Sequence, residues 1–261
     1  LFAGAMMPGM MLVCMFILFI YIYAKIYPLS CPPIETTRSR LEIYIEAFKN
    51  VLPPLILILL VLGSILLGIA TPTESASVGA AGASLLAFAK GELTFKNLKD
   101  VSFSTVKLSS FVFVILIGAS MFSLVFRGFN GDELIEHVLG GLPGGQVGAL
   151  IIVMLAIFVL GFFLDYIEII FVIVPLVGPV LIANGADPLW LGIMISLNLQ
   201  TSFLTPPFGF SLFFLRGVAP PEIQTKNIYR GVIPYIGIQV IAIIVVGFIP
   251  EIATWLPRKI F

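Results

Sequence analysis

Charged residues are scarce in this chain of 261 residues, where Asp, Glu, Lys and Arg together make up 11%. Soluble globular domains carry about 25% charged residues, so the deficit excludes an ordinary soluble fold. Hydrophobic residues make up 59% of the chain, and its mean hydropathy is +1.13. Apolar runs of about 18 residues or more, the length that a helix needs to cross a bilayer, recur along it. The composition therefore predicts an all-α polytopic membrane protein.

Several chemical signatures are also missing. The formal net charge is +0 and the basic residues form no dense patch, so we expect no nucleic-acid partner. Cys14 and Cys31 form neither a CxxC pair nor a metal-ligand spacing, and we expect no cofactor. No P-loop of the form GxxxxGK[ST] occurs, so ATP use by this chain is not expected. The chain opens on Leu1 without a basic n-region or a cleavage site, as the continuation of a longer protein would.

Apolar runs and helix breakers divide the chain into predicted segments. Single spans are predicted at residues 3–24, 108–126 and 231–249. Polar connectors are predicted at 25–50, with an amphipathic interfacial part, and at 127–146. Two runs, 52–89 and 147–183, are too long for one crossing, because 52–89 as one straight helix would measure about 57 Å against about 30 Å of hydrocarbon. Each of these two runs is predicted to fold back as a hairpin or a pair of broken helices.

The basic residues support the folded-back topology. If both long runs fold back, 11 of the 14 Lys and Arg residues lie on one side of the membrane. An excess of this kind marks the cytoplasmic side. A single crossing by residues 52–89 would instead place four lysines outside. The eleven residues are Lys25, Arg38, Arg40, Lys49, Lys90, Lys96, Lys99, Lys107, Arg216, Lys226 and Arg230.

The sequence LNLQTSFLTPPFGFSLFF interrupts an apolar segment, 188–217, with two prolines and a glycine. Pro206 and Pro207 lack N–H groups, so the carbonyls of Ser202 and Phe203 are predicted to lose their helical partners. The residue before a proline is pushed out of the α region, and Gly209 permits unusual backbone angles. Unpaired backbone at membrane depth is tolerated only where protein, water or a ligand satisfies it. The break therefore predicts a binding site.

Polar side chains lead into this break. Asn198, Thr201 or Ser202, and Thr205 follow the spacing of one helix face. Hydroxyls and freed carbonyls are hard oxygen ligands suited to Na⁺, and a helix restarting at the two prolines would point its positive end at an anion. An ordinary proline kink is the alternative explanation.

A second polar interruption, FFLDYIE, lies near the middle of residues 147–183. Its carboxylates, Asp165 and Glu168, are functional candidates because acidic residues inside a membrane are rare and costly. If the run is a re-entrant hairpin, Gly161 to Glu168 forms its tip and meets the broken segment. Alternatively the hairpin crosses fully, and both acids lie at the wet cytoplasmic face.

Two further polar stretches have structural explanations. Thr71, Pro72 and Glu74 fit a capping box with proline at the first helical position. The small residues from Ser75 to Ser84 suit close helix packing in lipid. His137 stands alone in an acidic amphipathic stretch and is predicted to lie on the surface.

Three segments give the chain a close resemblance to one family: LNLQTSFLTPPFGFSLFFLRGVAP, GFFLDYIEIIFVIVPLVGPV and GIATPTESASVGAAGA. In their order along the chain, and over essentially its whole length, these segments resemble the large membrane (permease) subunit of tripartite ATP-independent periplasmic (TRAP) transporters. The resemblance implies the C-terminal portion of that subunit. The implied fold is the second inverted repeat of an elevator-type secondary transporter, with a re-entrant helical hairpin and a discontinuous helix.

The resemblance also implies a function and a location. It implies a sodium-coupled symporter for the uptake of organic anions, or carboxylates, in the bacterial inner (cytoplasmic) membrane. The implied partners are the N-terminal half of the same subunit, a small membrane subunit, a periplasmic substrate-binding protein and membrane lipid. Residues 1–50 would be the last span of the first repeat with its connector, and 51–145 scaffold helices. Residues 146–217 would be the transport hairpin and broken helix, and 218–261 the final span and C-terminus.

The resemblance implies a re-entrant hairpin at 146–183, with its tip near Gly161 to Asp165, and a discontinuous helix at 188–217 that is unwound at Thr205 to Gly209. The implied site lies between the tip and the unwound part. Tyr166 and Glu168 depart from the family pattern, which favours smaller or uncharged residues there, so the tip chemistry is expected to be specific to a subfamily. Na⁺ ligands are expected at Gly161, Asp165, Thr205 and Gly209. The full set of expected substrate or ion contacts is Gly161, Asp165, Asn198, Thr201, Ser202, Thr205, Pro206, Pro207 and Gly209.

Two other functions compete with transport. A non-transporting membrane scaffold subunit would share the composition but not need the breaks. An intramembrane aspartyl hydrolase would use Asp165 with a second carboxylate sharing one proton. Glu168 lies on the same turn, Glu74 is explained by the capping box, and no GxGD motif follows, so no enzyme activity is expected.

Overall fold

The computed structural model describes residues 1–32, 39–206, 209–220 and 222–260, without the side chains of Arg40 and Phe210. Within these ranges the chain is helical, with no strand, and α7 contains a π-helical stretch at Ile169–Ile173. The helices are α1 (Phe2–Ile26), α2 (Arg40–Leu66), α3 (Pro72–Ala89), α4 (Phe95–Gly128), α5 (Gly131–Gly140), α6 (Gly145–Leu160), α7 (Tyr166–Ala183), α8 (Pro188–Leu204), α9 (Phe210–Val218), α10 (Thr225–Phe248) and α11 (Glu251–Ile260).

Five of the described helices, α1, α2, α4, α7 and α10, are long and apolar enough to cross a membrane. The pair α5 and α6, bent by 117°, raises the total to as many as six. The spans predicted at residues 3–24 and 108–126 lie within α1 and α4, and the span predicted at 231–249 coincides with α10 except for its last residue, so all three are confirmed. The prediction of an all-α polytopic membrane protein is therefore confirmed.

The long run 52–89 folds back, as predicted, between α2 and α3. The Ser64 and Ser75 hydroxyl oxygens are 2.8 Å apart across the two helices. Further from the turn, Gly79 lies against Val61 and Gly82 lies against Leu57. Because the partner numbers fall along one helix as they rise along the other, the helices are antiparallel. Small residues permit this close approach, as in other helix pairs within membranes.

The capping box predicted at the start of α3 is confirmed. The Thr71 hydroxyl accepts a hydrogen bond from the Glu74 backbone N–H at 3.3 Å. In return, the Glu74 carboxylate accepts bonds from the Thr71 backbone N–H and hydroxyl, both at 2.8 Å. These bonds favour the charged carboxylate and lower the pKa of Glu74 below its ordinary value. Glu74 thus has a structural task at a helix start.

Two predicted boundaries differ from the structure. The amphipathic part of residues 25–50 is not separate, because α2 runs without interruption from Arg40 through Pro53 and Pro54. Ser39 starts this helix early, and its backbone N–H donates to the Glu42 carboxylate at 3.2 Å. The basic stretch before residue 108 likewise forms the first turns of α4, which Thr94 caps by accepting from the Asn97 N–H at 3.1 Å. N-terminal caps therefore extended both helices beyond their apolar runs.

Helices α1, α8, α10 and α11 form one packed group. The Tyr235 ring of α10 lies between Phe16 and Phe19 of α1, with centroid distances of 5.5 and 5.3 Å. The Trp190 indole N–H donates to the Val246 carbonyl at 2.9 Å and joins α8 to α10. Buried apolar side chains fill the space between these helices, including Leu12, Ile193, Leu197, Ala242 and Val246.

The helix α11 was not predicted from the sequence. It begins two residues after α10 and lies across the start of α1, where Ala253 and Thr254 are buried. A Cβ atom on Gly4 of α1 would lie 3.0 Å from the Ala253 carbonyl oxygen. The end of α10 therefore meets the start of α1, so these two helices are antiparallel. Lys25 and Lys226 lie at the opposite end of the pair, in agreement with the predicted sidedness.

The buried serine pair leads to a stability prediction. Ser75 is 0% exposed, and Ser75→Ala removes its hydroxyl from the contact with Ser64. The expected loss is about 0.5–1.5 kcal/mol of unfolding free energy. Thermal unfolding in detergent measures it. Ser77→Ala is the matched control, because the exposed Ser77 hydroxyl bonds within α3, to the Thr73 carbonyl. An equal loss in both variants would contradict the role of the pair.

The folded-back topology leads to a labelling prediction. In a protein otherwise free of cysteine, Lys90→Cys and Glu133→Cys place single thiols at exposed positions between α3 and α4 and on α5. Because the basic connectors mark one side, a membrane-impermeant maleimide is expected to label the two thiols from opposite sides. Right-side-out and inverted vesicles measure this. Labelling of both thiols from the same side would refute the topology.

Candidate functional site

The hairpin formed by α6 and α7 turns at the predicted tip. Helix α6 ends at Leu160, residues 161–165 form the turn, and α7 begins at Tyr166. Asp165 caps α7, since its carboxylate accepts a hydrogen bond from the Tyr166 N–H at 2.7 Å. At the open end, a Cβ on Gly185 would lie 3.5 Å from the Gln146 amide nitrogen, so the two limbs meet again there. The predicted fold-back of residues 147–183 is confirmed.

The predicted break in residues 188–217 is also confirmed. Helix α8 ends at Leu204, and Thr205 is extended with φ −93° and ψ 129°, as expected before a proline. Pro206 lies in a turn, whereas Pro207 falls outside the described residues. Gly209 is buried and has φ +26°, a region that side chains disfavour. Helix α9 begins only at Phe210, so the prediction that the helix restarts at the two prolines is wrong.

Thr205 donates two hydrogen bonds to backbone carbonyls beside the break. Its N–H donates to the Ser202 carbonyl at 3.0 Å, and its hydroxyl donates to the Thr201 carbonyl at 2.7 Å. The Ser202 carbonyl thus lacks its usual helical partner, since Pro206 has no N–H, but it is not left unpaired. The helical turn tightens at its end instead, which supplies a shorter bond in place of the missing one.

The hairpin tip and the broken helix are in direct contact. Gly161 packs against the side chain of Ser202, and a Cβ atom on Gly161 would lie 2.8 Å from the Ser202 Cβ. Real Cβ atoms do not approach side chains this closely, so glycine is needed here. Beside it, the Tyr166 and Phe203 rings meet edge to face at 5.7 Å. The tip therefore contacts α8 in its last turn, just before the break.

The other face of α8 points into a different space. The Asn198 side-chain amide donates to the Met154 carbonyl of α6 at 2.7 Å. Asn198 and Thr201 line an apolar cavity of about 490 Å³ between α6, α8 and α10. The predicted polar face is thus divided: Ser202 faces the hairpin tip, while Asn198 and Thr201 face this cavity.

The hydroxyl groups along this part of α8 already donate hydrogen bonds within the helix. Thr201 donates to the Leu197 carbonyl at 2.8 Å, and Ser202 donates to the Leu199 carbonyl at 2.9 Å. A hydroxyl whose proton is engaged offers only oxygen lone pairs to a further partner. Both residues are 0% exposed. The arrangement therefore suits a cation better than a hydrogen-bond acceptor.

The backbone of the break adds one further oxygen. A Cβ on Gly209 would lie 3.0 Å from the Thr205 carbonyl oxygen and 3.1 Å from the Leu212 side chain. The absence of a side chain at Gly209 therefore lets the chain return onto the end of α8. No cluster of three His, Cys, Asp or Glu side chains with metal-binding geometry occurs among the described residues. Carbonyl and hydroxyl oxygens are thus the candidate ligands.

Sequence reasoning missed a second cavity beside the contact. It has a volume of about 380 Å³ and lies between α7, α8 and α9. Ser196, Gln200 and Phe203 follow the spacing of one helix face, which was the available signal for it. Its lining residues are Tyr166, Ile170, Ser196, Leu199, Gln200, Phe203 and Ser211.

Comparison with known proteins identifies the family. Residues 1–252 match the family model described as "Tripartite ATP-independent periplasmic transporter, DctM component". The chain is similar to the C4-dicarboxylate TRAP transporter large permease protein DctM of Vibrio cholerae, at 30% identity over 278 residues, covering 98% of this chain and 60% of the relative. It is similar to the ectoine TRAP transporter large permease protein TeaC of Halomonas elongata, at 30% identity, covering 98% of this chain and 59% of the relative.

A more distant relative is the sialic acid TRAP transporter permease protein SiaT of Haemophilus influenzae, at 24% identity, covering 99% of this chain and 41% of the relative. The chain spans about 60% of the length of the first two relatives. These relatives are components of transporters and not enzymes, as expected. The chain belongs to the DctM component family of tripartite ATP-independent periplasmic transporters, and it is a multi-pass membrane protein.

Proposed function

We propose that this protein is the large permease part of a sodium-coupled uptake transporter for organic anions, working with a periplasmic binding protein in the bacterial inner membrane. The observation that carries the proposal is the contact of Gly161, at the hairpin tip, with Ser202, one turn before the break in α8. Two interrupted helices that meet inside a membrane protein form the kind of site at which transporters bind ions and substrates.

Sodium binds, in this proposal, between the hairpin tip and the break. The ligands are oxygens of Gly161, Thr205 and Gly209, with Asp165 adding charge from the tip. Three facts support it: hydroxyl protons in the last turn of α8 are engaged, the break exposes backbone, and glycine permits close approach at both positions. Na⁺ prefers such hard oxygen ligands, and the Asp165 carboxylate at the tip balances its positive charge.

The anion binds next to the sodium, in this proposal. Helix α9 starts at Phe210, behind the break, and its free N–H groups carry partial positive charge. The cation at the break attracts a carboxylate, and the positive N-terminal end of α9 attracts the same group. Two of the relatives are named for C4-dicarboxylate and sialic acid, which supports an anionic substrate class.

Coupling follows from shared geometry. A sodium ion held by both the tip and the break stabilises the contact between them, and the same contact shapes the anion site. We propose that the portion of the relatives that this chain does not span supplies a matching hairpin and broken helix, in an inverted repeat that moves as an elevator. A small membrane subunit and a periplasmic binding protein complete the proposed complex.

Removal of the Thr205 hydroxyl tests the ion site. Thr205→Val keeps the shape of the side chain but removes the oxygen and its bond to Thr201. The sodium concentration for half-maximal uptake by proteoliposomes of the full complex is expected to rise about 10-fold or more. Thr105→Val is the matched control, because Thr105 bonds the Val101 carbonyl in the same way on an exposed part of α4. Unchanged sodium dependence in Thr205→Val would remove this residue from the site.

Crowding of the contact tests the coupling. Gly161→Ala places a methyl group against Ser202, so the tip must move away from α8. Sodium-driven uptake is expected to fall about 10-fold or more, as for a displacement of about 1 Å in a working site. Ser202→Gly in the same protein removes the obstructing side chain and is expected to restore part of the uptake.

Gly178→Ala is the control for this substitution. Gly178 lies on α7, and a Cβ there would meet Val174 at an ordinary 3.7 Å. It is expected to leave uptake unchanged. Normal transport by Gly161→Ala, or no rescue by Ser202→Gly in a folded complex, would show that the contact does not serve transport. A non-transporting scaffold subunit would then be the better explanation.

A further inference from the structure

The polar face of α11 carries charges of both signs around one tryptophan. Glu251, Trp255 and Arg258 follow one face of this helix at spacings of four and three residues. Together with Thr254 and Lys259 they line a cavity of about 300 Å³. The Lys259 ammonium lies 5.0 Å from the centre of the Trp255 ring, a cation–π distance. The cavity therefore has a cationic end, an acidic end and an aromatic wall.

The position of α11 places this cavity at a membrane surface. The helix begins two residues after the span α10 and packs its inner face, Ala253 and Thr254, against the start of α1. Trp255 remains 49% exposed. An exposed tryptophan on an amphipathic helix just beyond the end of a span is typical of the headgroup level of a bilayer. The basic ends of α1 and α10 lie at the opposite face, so this is the outer leaflet.

The charges balance within this region. Arg258 pairs with Asp187 at 3.7 Å, yet its side chain remains 69% exposed and keeps N–H groups for another partner. Lys259 and Glu251 add one charge of each sign, so no net charge attracts a simple anion. The two cations adjoin at the end of α11, and Glu251 lies seven residues before Arg258, about 10 Å along the helix axis. Such a site complements a group that carries both a phosphate and an ammonium.

We propose that the cavity on α11 binds a phospholipid headgroup of the phosphoethanolamine type. The phosphate contacts Arg258 and Lys259, the former being suited to two parallel bonds with phosphate oxygens. The primary ammonium reaches toward Glu251. Trp255 packs beside the glycerol region at the depth where its ring is partly in lipid. This lipid holds α11 against the surface, over the start of α1.

Fluorescence quenching of Trp255 tests the proposal in the full-length protein reconstituted into vesicles. Lipids brominated next to the headgroup are added in ethanolamine, choline and glycerol forms, and the signal of Trp255 is obtained by difference from Trp255→Phe. The ethanolamine form is expected to quench at the lowest mole fraction. Choline has no N–H to donate to Glu251, and the glycerol form has no cation for it. Equal quenching by the three lipids would overturn the proposal.

Charge variants separate the two ends of the site. Glu251→Gln is expected to abolish the preference for ethanolamine over glycerol headgroups. Arg258→Gln with Lys259→Gln removes two charges, at about fivefold each, and is expected to raise the mole fraction needed for half-maximal quenching about 25-fold for the ethanolamine and glycerol lipids alike. Lys96→Gln with Lys99→Gln is the matched control, because Lys99 also lies over an aromatic ring, Phe103, but on α4. An unchanged preference in Glu251→Gln overturns the assignment of the ammonium.

Soluble compounds distinguish the source of the headgroup. Free phosphoethanolamine at millimolar concentration is expected to leave the quenching unchanged, because the lipid is concentrated at the surface. Complete reversal by the soluble compound would show that the site takes a soluble ligand, which contradicts the proposal. Thermal unfolding and gel filtration monitor the fold of each variant, and Lys259→Gln alone replaces the double variant if that one fails to fold.

Discussion

Inside a membrane, every backbone N–H and carbonyl needs a hydrogen-bond partner. This requirement governs the structure of the protein. An unpaired group in hydrocarbon costs several kcal/mol, so a helix can break there only where other atoms replace the lost bonds. The break after α8 meets this condition in part through Thr205, whose N–H and hydroxyl satisfy the carbonyls of Ser202 and Thr201. The break is thus built into the local sequence, because the residue before the two prolines supplies two of the replacement bonds.

Close packing of the hairpin on the broken helix is the second consequence of this constraint. A turn such as residues 161–165 also exposes backbone, and it is tolerable in lipid when buried against protein. Gly161 makes the contact with Ser202 possible because it has no side chain. Each interruption therefore covers the other. A displacement of one interruption therefore displaces the other. The proposed coupling of two ligands requires this property.

Much of this arrangement was predictable from the composition and from helix-breaking residues. The hydrogen bonds that replace the lost helical bonds were not predictable in this way. Runs too long for one crossing revealed both fold-backs, and the Thr205–Pro206 step revealed the break. The residues alone predicted a helix restart at the two prolines, whereas α9 starts at Phe210, as the unwinding from Thr205 to Gly209 implied by the family resemblance requires. The helix α11 was missed because a short polar segment gains its stability from burial on α1, which local sequence does not encode.

The engaged hydroxyls along α8 bear on selectivity. When the protons of Ser202 and Thr205 are held by carbonyls of their own helix, the proposed site presents oxygen lone pairs and few donors on this side. An anion alone would meet unfavourable dipoles there, while a small cation would meet favourable ones. Donors become available only at the start of α9, beyond Gly209. In the proposed function, the cation position and the anion position lie on either side of one break, so the occupant of each position would lower the electrostatic cost of filling the other.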